Sequence, residues 1–421
     1  MFRTFLKQTA LAALLASTSL CAYAATDLTM YYPIAVGGPL TDVMDGMIDD
    51  FQKINPDIKV RAVYSGNYDE TRVRAISAIK AGQPAQLSVL GALDTYDLIE
   101  QDLIEPFDKV ATTKEEKNWL HSFYPALMAN SNIDGHVWGI PFQRSTILMF
   151  YNKDMFHAAG LDPNKPPKTW KELLADAKAL TANNRYGLMI PSTGYPYWMF
   201  QGFAIQSGVS LMNKEGTQVY LNSPAAVRAL EFWRSLAATH HVSPLGIIEW
   251  GTLRQAFVQG QTAMMWHTTG NLSAVKKEAK FDFGVAMLPA DEQPGSPTGG
   301  GNFYLFKNAT PIQKKAALTF VHWMTSPERS AQWSIATGYV GTSAAAYDTE
   351  TMRKYAKTFP QALVARDQLA VAIPEFSTQQ TARVREALSN AVQAALTGAK
   401  TPKEALDQAQ ATAERLLKPY R

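Results

Sequence analysis

A cluster of polar and aromatic side chains separates two apolar runs near the start of the chain, in the stretch YSGNYDETR at residues 64–72. Tyr64, Asn67, Tyr68 and Asp69 combine hydroxyl, amide and carboxylate groups with two aromatic faces. Aromatic faces stack on the apolar side of a polyol, and polar groups hydrogen-bond its hydroxyls. These residue types favour a site that binds a small polar solute.

The same stretch also has a purely structural interpretation. Gly66 and Asn67 are typical of a turn, and Asp69 can cap the helix that follows. The residues alone favour neither interpretation over the other, so both stay open.

Common catalytic signatures are absent from the sequence. It contains no H-E-x-x-H, G-x-S-x-G, G-x-x-x-x-G-K-[ST] or C-x-x-C pattern, and His240 and His241 are adjacent, so they would diverge on a regular element. Paired carboxylates of a glycoside hydrolase are recognised by their separation in space, so a hydrolase remains an alternative from a different class. We predict no catalytic residue, no metal site and no cofactor.

The segments around the opening cluster predict an α/β fold. Short apolar runs at residues 27–34, 58–64 and 87–90 predict strands, and helical spacing of apolar residues predicts helices at 40–54 and 69–81. This βαβαβ order predicts a parallel, doubly wound sheet. Ligands of such sheets bind at the carboxyl ends of the strands, where Tyr68 and Asp69 are expected.

A second α/β block is predicted further along the chain. Residues 138–141 suggest an extended crossing, and residues 146–151 an apolar strand. Thr169 and Glu172 have the spacing of a helix capping box. Without a short leader the chain still has about 400 residues, enough for two hydrophobic cores.

The first 24 residues predict a secretory signal peptide. Arg3 and Lys7 precede the apolar run 11–20, and residues 22–24 form a small-residue cleavage site. Cys21, the single cysteine, lies in this segment, so we predict no disulfide. Without Arg3 and Lys7, 38 basic residues face 37 acidic ones, which disfavours nucleic-acid binding. We expect an exported, periplasmic protein.

Several longer motifs follow each other in a defined order along the chain: YSGNYD at 64–69, WGIPF at 138–142, FYNKD at 150–154, AGLDP at 159–163, PPKTWKEL at 166–173, GYVGTS at 338–343 and TGAKTPKEALD at 397–407. In this order they resemble family 1 extracellular solute-binding proteins of ABC importers. Within them, the similarity is greatest to the sn-glycerol-3-phosphate-binding periplasmic proteins, and it covers the mature chain from end to end.

This resemblance implies a type II-like periplasmic binding protein fold with two α/β lobes. Each lobe is expected to be a mainly parallel sheet flanked by helices, and the lobes close about a hinge onto the ligand. The expected N-terminal lobe comprises residues 25–139 and 287–338, and the C-terminal lobe residues 140–286 and 339–421. Crossings are expected at 138–141, at 287–289 and near Tyr339.

The resemblance also implies which residues bind the ligand. Carried over one position at a time, the candidates are Tyr68, Asp69, Ser145, Tyr195, Trp198, Asn271, Gly301, Tyr339 and Arg383. Tyr68 and Asp69 match residues that reach ligand hydroxyls. Trp198 falls near the tryptophans that stack on the ligand, although a buried core tryptophan would occupy the same pattern.

An anionic group of the ligand would be bound by backbone and arginine donors. Residues 299–302 match a glycine-rich entry into a strand, where N–H groups can approach an anion. Arg383 is the favoured phosphate contact and Arg385 the alternative, because a guanidinium donates two parallel hydrogen bonds. Arg144 replaces a small polar residue of the family, and it either contacts an anion or lies at the surface.

The implied function is capture of sn-glycerol 3-phosphate or a glycerophosphodiester, and its delivery, by a monomeric binding protein, to the permease subunits of an ABC importer. A neutral sugar or oligosaccharide remains an alternative. Asp69 and Tyr195 differ from the glutamate and tryptophan of the family, and a neutral ligand would require no arginine in the cleft.

Overall fold

The structure is a computed structural model that describes residues 25–37, 40–83, 85–182 and 184–421. The predicted signal peptide and Cys21 lie outside the described residues. The strands are β1 (Thr26–Tyr32), β2 (Ile58–Tyr64), β3 (Leu87–Gly91), β4 (Ile104–Glu105), β5 (Asn132–Ile133), β6 (His136–Val137), β7 (Ile140–Asn152), β8 (Tyr186–Met189), β9 (Thr262–Thr268), β10 (Phe283–Ala286), β11 (Ser296–Phe306) and β12 (Ala372–Ile373).

The α-helices cover the faces of these strands and fill the connections between them. They are α1 (Leu40–Ile54), α2 (Tyr68–Lys80), α3 (Thr95–Glu100), α4 (Phe107–Val110), α5 (Lys114–Leu120), α6 (Pro125–Met128), α7 (Lys153–Ala158), α8 (Trp170–Leu180), α9 (Pro196–Gln206), α10 (Pro224–Ala238), α11 (Trp250–Val258), α12 (Leu272–Glu278), α13 (Pro311–Met324), α14 (Pro327–Thr337), α15 (Ala344–Asp348), α16 (Glu350–Thr358), α17 (Val364–Gln368), α18 (Thr381–Leu396) and α19 (Pro402–Leu417).

The predicted βαβαβ start is confirmed. Strand β1 pairs in parallel with β2 over its whole length and with β3 over two residues. Helix α1 forms because Leu40, Met44, Met47 and Phe51 recur at helical spacing, and all four are buried against the sheet. Helices α1 and α2 are the crossovers that return the chain in the same direction, and Tyr68 begins α2 shortly after β2.

One sheet runs through both lobes, in the order β2-β1-β3-β11-β7-β9-β8. Strand β7 carries the chain out of the N-terminal lobe and β11 brings it back, so the two strands are antiparallel neighbours. In the C-terminal lobe β7 is also antiparallel to β9 and β10, whereas β8 is parallel to β9 and β12 is parallel to the first two residues of β11. The sheet of this lobe is therefore mixed, where a mainly parallel one was expected, because the crossing strand enters it from the opposite end.

The hydrophobic cores locate the crossings. Phe142 and Phe303 pack in the N-terminal core, whereas Ile147 and Leu288 pack in the C-terminal core. The paired segments of β7 and β11 between these residues, 143–146 and 298–301, therefore join the lobes. These contacts move the second crossing from the expected 287–289 to about ten residues later, because the segment at Leu288 is buried in the C-terminal lobe.

The chain passes from one hydrophobic cluster to another near Tyr339. Tyr339 packs in the N-terminal core, and Val340 packs in a separate cluster with Leu148 and Phe150 of β7. The N–H group of Val340 donates to the carbonyl oxygen of Arg144, 2.8 Å away, so this passage is tied to β7. The exact division of the chain into lobes stays a prediction.

Glycines allow β7 and β11 to approach closely where they join the lobes. Residues 299–301 lie inside β11, beyond its first three residues, and pair with 143–145 of β7, so this segment is a strand interior and not a turn. Gly300 has φ +94°, and a Cβ there would overlap the carbonyl oxygen of Gln143. Only glycine fits this position without displacing the crossing strand.

We predict that Gly300→Ala destabilises the fold. The added methyl group clashes with the backbone of β7 and forces a left-handed conformation on alanine, at a cost of about 1–3 kcal/mol. Denaturant unfolding checks the change. Gly46→Ala is the control, because Gly46 lies in α1 and a methyl group added there would have no neighbouring atom within 4 Å. It should be neutral or stabilising by up to about 1 kcal/mol, and equal stability of the two variants would contradict this view of the crossing.

Candidate ligand-binding site

A cavity lies between the lobes where β7 and β11 cross. It contains about 430 Å³ of space not filled by protein atoms, including space open to solvent. Its lining is largely aromatic and comes from both lobes: Ala35, Val36, Tyr68, Gly91, Leu93, Ser145, Tyr195, Tyr197, Trp198, Trp250, Thr268, Gly300, Tyr339, Glu375 and Arg385. Five predicted site residues are thus brought together, namely Tyr68, Ser145, Tyr195, Trp198 and Tyr339.

The ends of three helices position the tyrosines of this cavity. Tyr68 is the first residue of α2, and its hydroxyl donates to Gln143 Oε1 at 3.1 Å. Tyr195 precedes α9 and Tyr197 lies in its first turn, on a helix whose residues are all buried. Tyr339 follows Gly338, whose φ of +96° ends α14. Their rings therefore converge from different elements on one enclosed space.

Trp198 is both a core residue and a cavity wall. Only 4% of its surface is exposed, and its Nε1 donates to the carbonyl oxygen of Thr298 at 2.8 Å. Its ring packs directly on Gly299, where any Cβ would contact the indole. The two interpretations of this tryptophan are therefore not exclusive, since one ring fixes β11 and faces the cavity.

The arginine in the cavity is Arg385 and not Arg383. Arg385 lines the cavity with 13% of its side chain exposed, and its Cζ lies 5.5 Å from the centre of the Tyr197 ring. Arg383 is exposed and lines a separate groove between α18 and α19. Residues two apart on a helix point about 200° away from each other. The preference for Arg383 over Arg385 is therefore corrected.

Contacts between the lobes close the cavity. Asp69, from the N-terminal lobe, forms an ion pair with Arg385 at 2.5 Å. Trp250 Nε1 donates to the carbonyl oxygen of Ala35 at 2.9 Å. Asp69 does not line the cavity, and half of its side chain is exposed. In this closed arrangement its carboxylate pairs with the cavity arginine rather than facing the enclosed space.

Arg144 is buried beneath the crossing and does not line the cavity. Its guanidinium donates to Asn302 Oδ1 at 3.0 Å and to Thr298 Oγ1 at 3.2 Å. Burial lowers the pKa of Arg144 below its usual range. Of the two positions left open for this residue, the surface is excluded. Two of its nitrogens donate to side chains of β11, and its Nε has no hydrogen-bond partner among the described residues.

A buried carboxyl group also lines the cavity. Glu375 is 3% exposed, and its Oε1 accepts a hydrogen bond from the Tyr197 hydroxyl at 2.9 Å. Its Oε2 has no hydrogen-bond partner among the described residues. Burial raises the pKa of Glu375 to about 7, although Arg144 and Arg385 partly offset this rise.

Besides Asp69 and Arg383, two further predicted site residues do not line the cavity. Asn271 lines a groove next to the cavity, and its Nδ2 lies 2.9 Å from His267 Nδ1. Gly301 does not line the cavity either, because the Tyr68 ring, which does, lies against it. Thr268, three positions before the predicted Asn271, lines the cavity.

The polar and aromatic residues of the stretch 64–72 are divided between the cavity and the neighbouring groove. Tyr64 and Asn67 line the neighbouring groove, and only Tyr68 reaches the cavity. Gly66 has φ +85°, and Asn67 caps α2 in a capping box with Glu70. The turn interpretation thus describes Gly66 and Asn67, whereas the binding interpretation remains for Tyr68.

Trp250 and Glu375 line the cavity but were not among the residues predicted from the sequence. Trp250 begins α11 and follows no recognisable motif, and its place is fixed by His267, whose Nε2 lies 3.2 Å from the Trp250 carbonyl oxygen. Burial lowers the pKa of His267 to about 4, so this histidine is neutral and structural. Glu375 follows the short strand β12, and no spacing in the sequence indicates that it is buried.

The sequence of this chain matches a known protein family. Residues 46–361 match the bacterial extracellular solute-binding protein family. The chain belongs to this family. In the part of the chain that the structure describes, we find no helix whose length and apolar character would allow it to cross a membrane.

Curated relatives match along nearly the whole chain. The sn-glycerol-3-phosphate-binding periplasmic protein UgpB of Pectobacterium atrosepticum is 28% identical, over 95% of this chain and 93% of its own length. The protein of the same name from Salmonella paratyphi A is 28% identical, over 91% of both chains. The resemblance predicted from the motifs is thereby confirmed.

Solved structures share the two-lobe fold. UgpB from Mycobacterium tuberculosis, in complex with glycerophosphocholine, superposes with a TM-score of 0.84 at 22% identity, over 94% of this chain and 99% of the other. Maltose-bound T. maritima MalE3 gives 0.82 at 22% identity, over 93% of this chain and 100% of the other. At this identity the similarity establishes the fold alone.

We predict that Trp198→Ala lowers the free energy of unfolding by about 3–5 kcal/mol, because the substitution empties a buried site. Trp198→Phe keeps a ring on Gly299 and loses the hydrogen bond to Thr298, so its cost is smaller. Thermal and denaturant unfolding of both variants check the order. A Trp198→Ala protein as stable as the wild type would show that the ring does not support the crossing.

Proposed function

We propose that this protein is the periplasmic substrate-binding component of an ABC importer, and that it captures sn-glycerol 3-phosphate or a related glycerophosphodiester. The observation that carries the proposal is Arg385, a charged donor that lines an aromatic cavity between two lobes. A guanidinium suits a phosphate group, and aromatic faces suit the carbon skeleton of a polyol. The names of the relatives support the same ligand class.

The proposed mechanism is capture without chemistry. The solute enters between open lobes, closure buries it, and the closed monomer docks on the permease subunits in the membrane. The ion pair between Asp69 and Arg385 joins the lobes in the closed form, so it contributes to closure. The relatives are binding proteins, which supports a role without turnover over that of a hydrolase.

A neutral sugar is the second candidate ligand. Six aromatic side chains line the cavity: Tyr68, Tyr195, Tyr197, Trp198, Trp250 and Tyr339. Arg385 already has Asp69 as a partner, so its charge is balanced without an anionic ligand. A binding protein for a neutral sugar would distinguish poorly between phosphorylated and unphosphorylated solutes.

We predict that the wild type binds sn-glycerol 3-phosphate at least tenfold more tightly than glycerol, a difference of about 1.4 kcal/mol or more. The phosphate gains charge-assisted hydrogen bonds from Arg385. Arg385→Ala should remove most of this preference, and Arg383→Ala should preserve it, because Arg383 lies on the other face of α18. Calorimetric titration measures all three proteins.

Asp69→Ala is a second control, since it breaks the ion pair but keeps the arginine. It should retain the preference for the phosphorylated solute even if closure weakens. Equal affinity of the wild type for the two solutes would reject the phosphate ligand. A preference lost in Arg383→Ala and kept in Arg385→Ala would place the phosphate outside the cavity.

We also predict that the solute closes the lobes and is released unchanged. Small-angle scattering should show a smaller radius of gyration at saturation with sn-glycerol 3-phosphate, because closure brings the lobes together. Mass spectrometry should recover the same solute after prolonged incubation. Recovery of free phosphate and glycerol would instead support the hydrolase.

A further inference from the structure

Glu375 is held rigidly at the wall of the cavity by its main chain. Its N–H group donates to Asn130 Oδ1 at 3.0 Å, and Asn130 Nδ2 donates to its carbonyl oxygen at 2.9 Å. The preceding strand β12 pairs with β11 through Ser296 and Pro297. Both main-chain groups of Glu375 are thus bound, which fixes the position of its backbone at the cavity wall.

The carboxyl group is only half satisfied. Tyr197 donates to Oε1, whereas Oε2 is buried without a hydrogen-bond partner in the described parts of the chain. A buried polar atom without a partner is costly, and such atoms are rare in folded proteins. Glu375 lines the cavity, so a solute donor that reaches Oε2 as the lobes close on it would supply the missing hydrogen bond.

The charged groups around Glu375 indicate what kind of donor fits. Arg144 faces it from β7 and Arg385 from α18, and Asp94 is the other acidic group nearby. Both arginines are engaged: Arg144 donates to two neutral side chains, and Arg385 pairs with Asp69. An ammonium group would add a third cation beside two arginines, whereas a hydroxyl group adds no charge. A neutral hydroxyl is therefore the better match.

We propose that Glu375 determines specificity by accepting, through Oε2, a hydrogen bond from a hydroxyl group of the captured solute. The proposal rests on the proposed capture of a polyol phosphate for its choice of probe. Tyr197 lies between Glu375 and Arg385, bonded to the first through its hydroxyl and beneath the second through its ring. A solute that contacts both Glu375 and Arg385 is therefore compact. Its hydroxyl and its anionic group are separated by about the length of a tyrosine side chain.

The test is a double-mutant cycle between protein and solute. Calorimetry compares sn-glycerol 3-phosphate with 2-hydroxypropyl phosphate and 3-hydroxypropyl phosphate, each of which lacks one hydroxyl group. The proteins are wild type, Glu375→Gln and, as the matched control, Glu386→Gln, whose residue lies on α18 outside the cavity. The glutamine keeps an acceptor for Tyr197 and replaces the other oxygen with a group that cannot accept.

In wild type and Glu386→Gln, loss of one particular hydroxyl should weaken binding at least tenfold. Glu375→Gln should bind sn-glycerol 3-phosphate at least tenfold more weakly than wild type, and loss of the same hydroxyl should then have little further effect. If removing either hydroxyl weakens binding equally in wild type and Glu375→Gln, the proposal is wrong.

The outcome remains distinguishable from failure of the proposed function. If the wild type does not bind sn-glycerol 3-phosphate, the same cycle is run with maltose and its monodeoxy analogues. If neither solute binds, the proposal is wrong, because it requires a hydroxyl-bearing solute in the cavity.

Discussion

The close antiparallel pairing of β7 and β11 at the junction of the lobes is the constraint on which the site depends. Three consecutive glycines of β11 make it possible, because each lacks a side chain that would collide with a neighbouring group. Gly299 accommodates the Trp198 ring, Gly300 the carbonyl oxygen of Gln143, and Gly301 the Tyr68 ring. The missing side chains of these glycines therefore leave room for neighbouring groups. As a result, two aromatic walls of the cavity, Trp198 and Tyr68, pack directly on β11.

The crossing also separates structural charges from those available to a solute. Arg144 is buried at the junction and held by neutral side chains of β11, so its charge remains in the core. Arg385 reaches the cavity from α18 and pairs with Asp69 from the opposite lobe. An anionic solute would therefore meet an arginine whose position already depends on the approach of the two lobes. Under the proposed function, this side chain would couple binding to closure.

The sequence predicted features that local patterns encode. Helix α1 has the predicted bounds because its apolar residues follow a helical period, and Tyr68 was found because a strand end precedes it. Arg383 was preferred over Arg385 because a motif gives a register but not the face of a helix that meets the cleft. Residues 299–302 were predicted to form the entry into a strand, because glycines also suit turns. Their position inside β11 could not be predicted, because their partners in β7 lie about 150 residues away in sequence.

Long-range packing explains the residues that were missed. Glu375 is buried by Asn130 and Tyr197, which are distant in sequence, and no neighbouring residue marks it as more than a surface acid. Trp250 reaches the cavity only because His267 holds its carbonyl group and Ala35 accepts its indole N–H. Such residues become recognisable when the two lobes are seen together.

A crystal structure of the protein grown with sn-glycerol 3-phosphate would test the central claim most directly, namely that the cavity between the lobes captures an intact phosphorylated polyol. The account predicts the unbroken solute inside the aromatic cavity, with its phosphate hydrogen-bonded to the guanidinium of Arg385. A solute in the groove beside Arg383, or a cavity that stays without it at saturating concentration, would contradict the account.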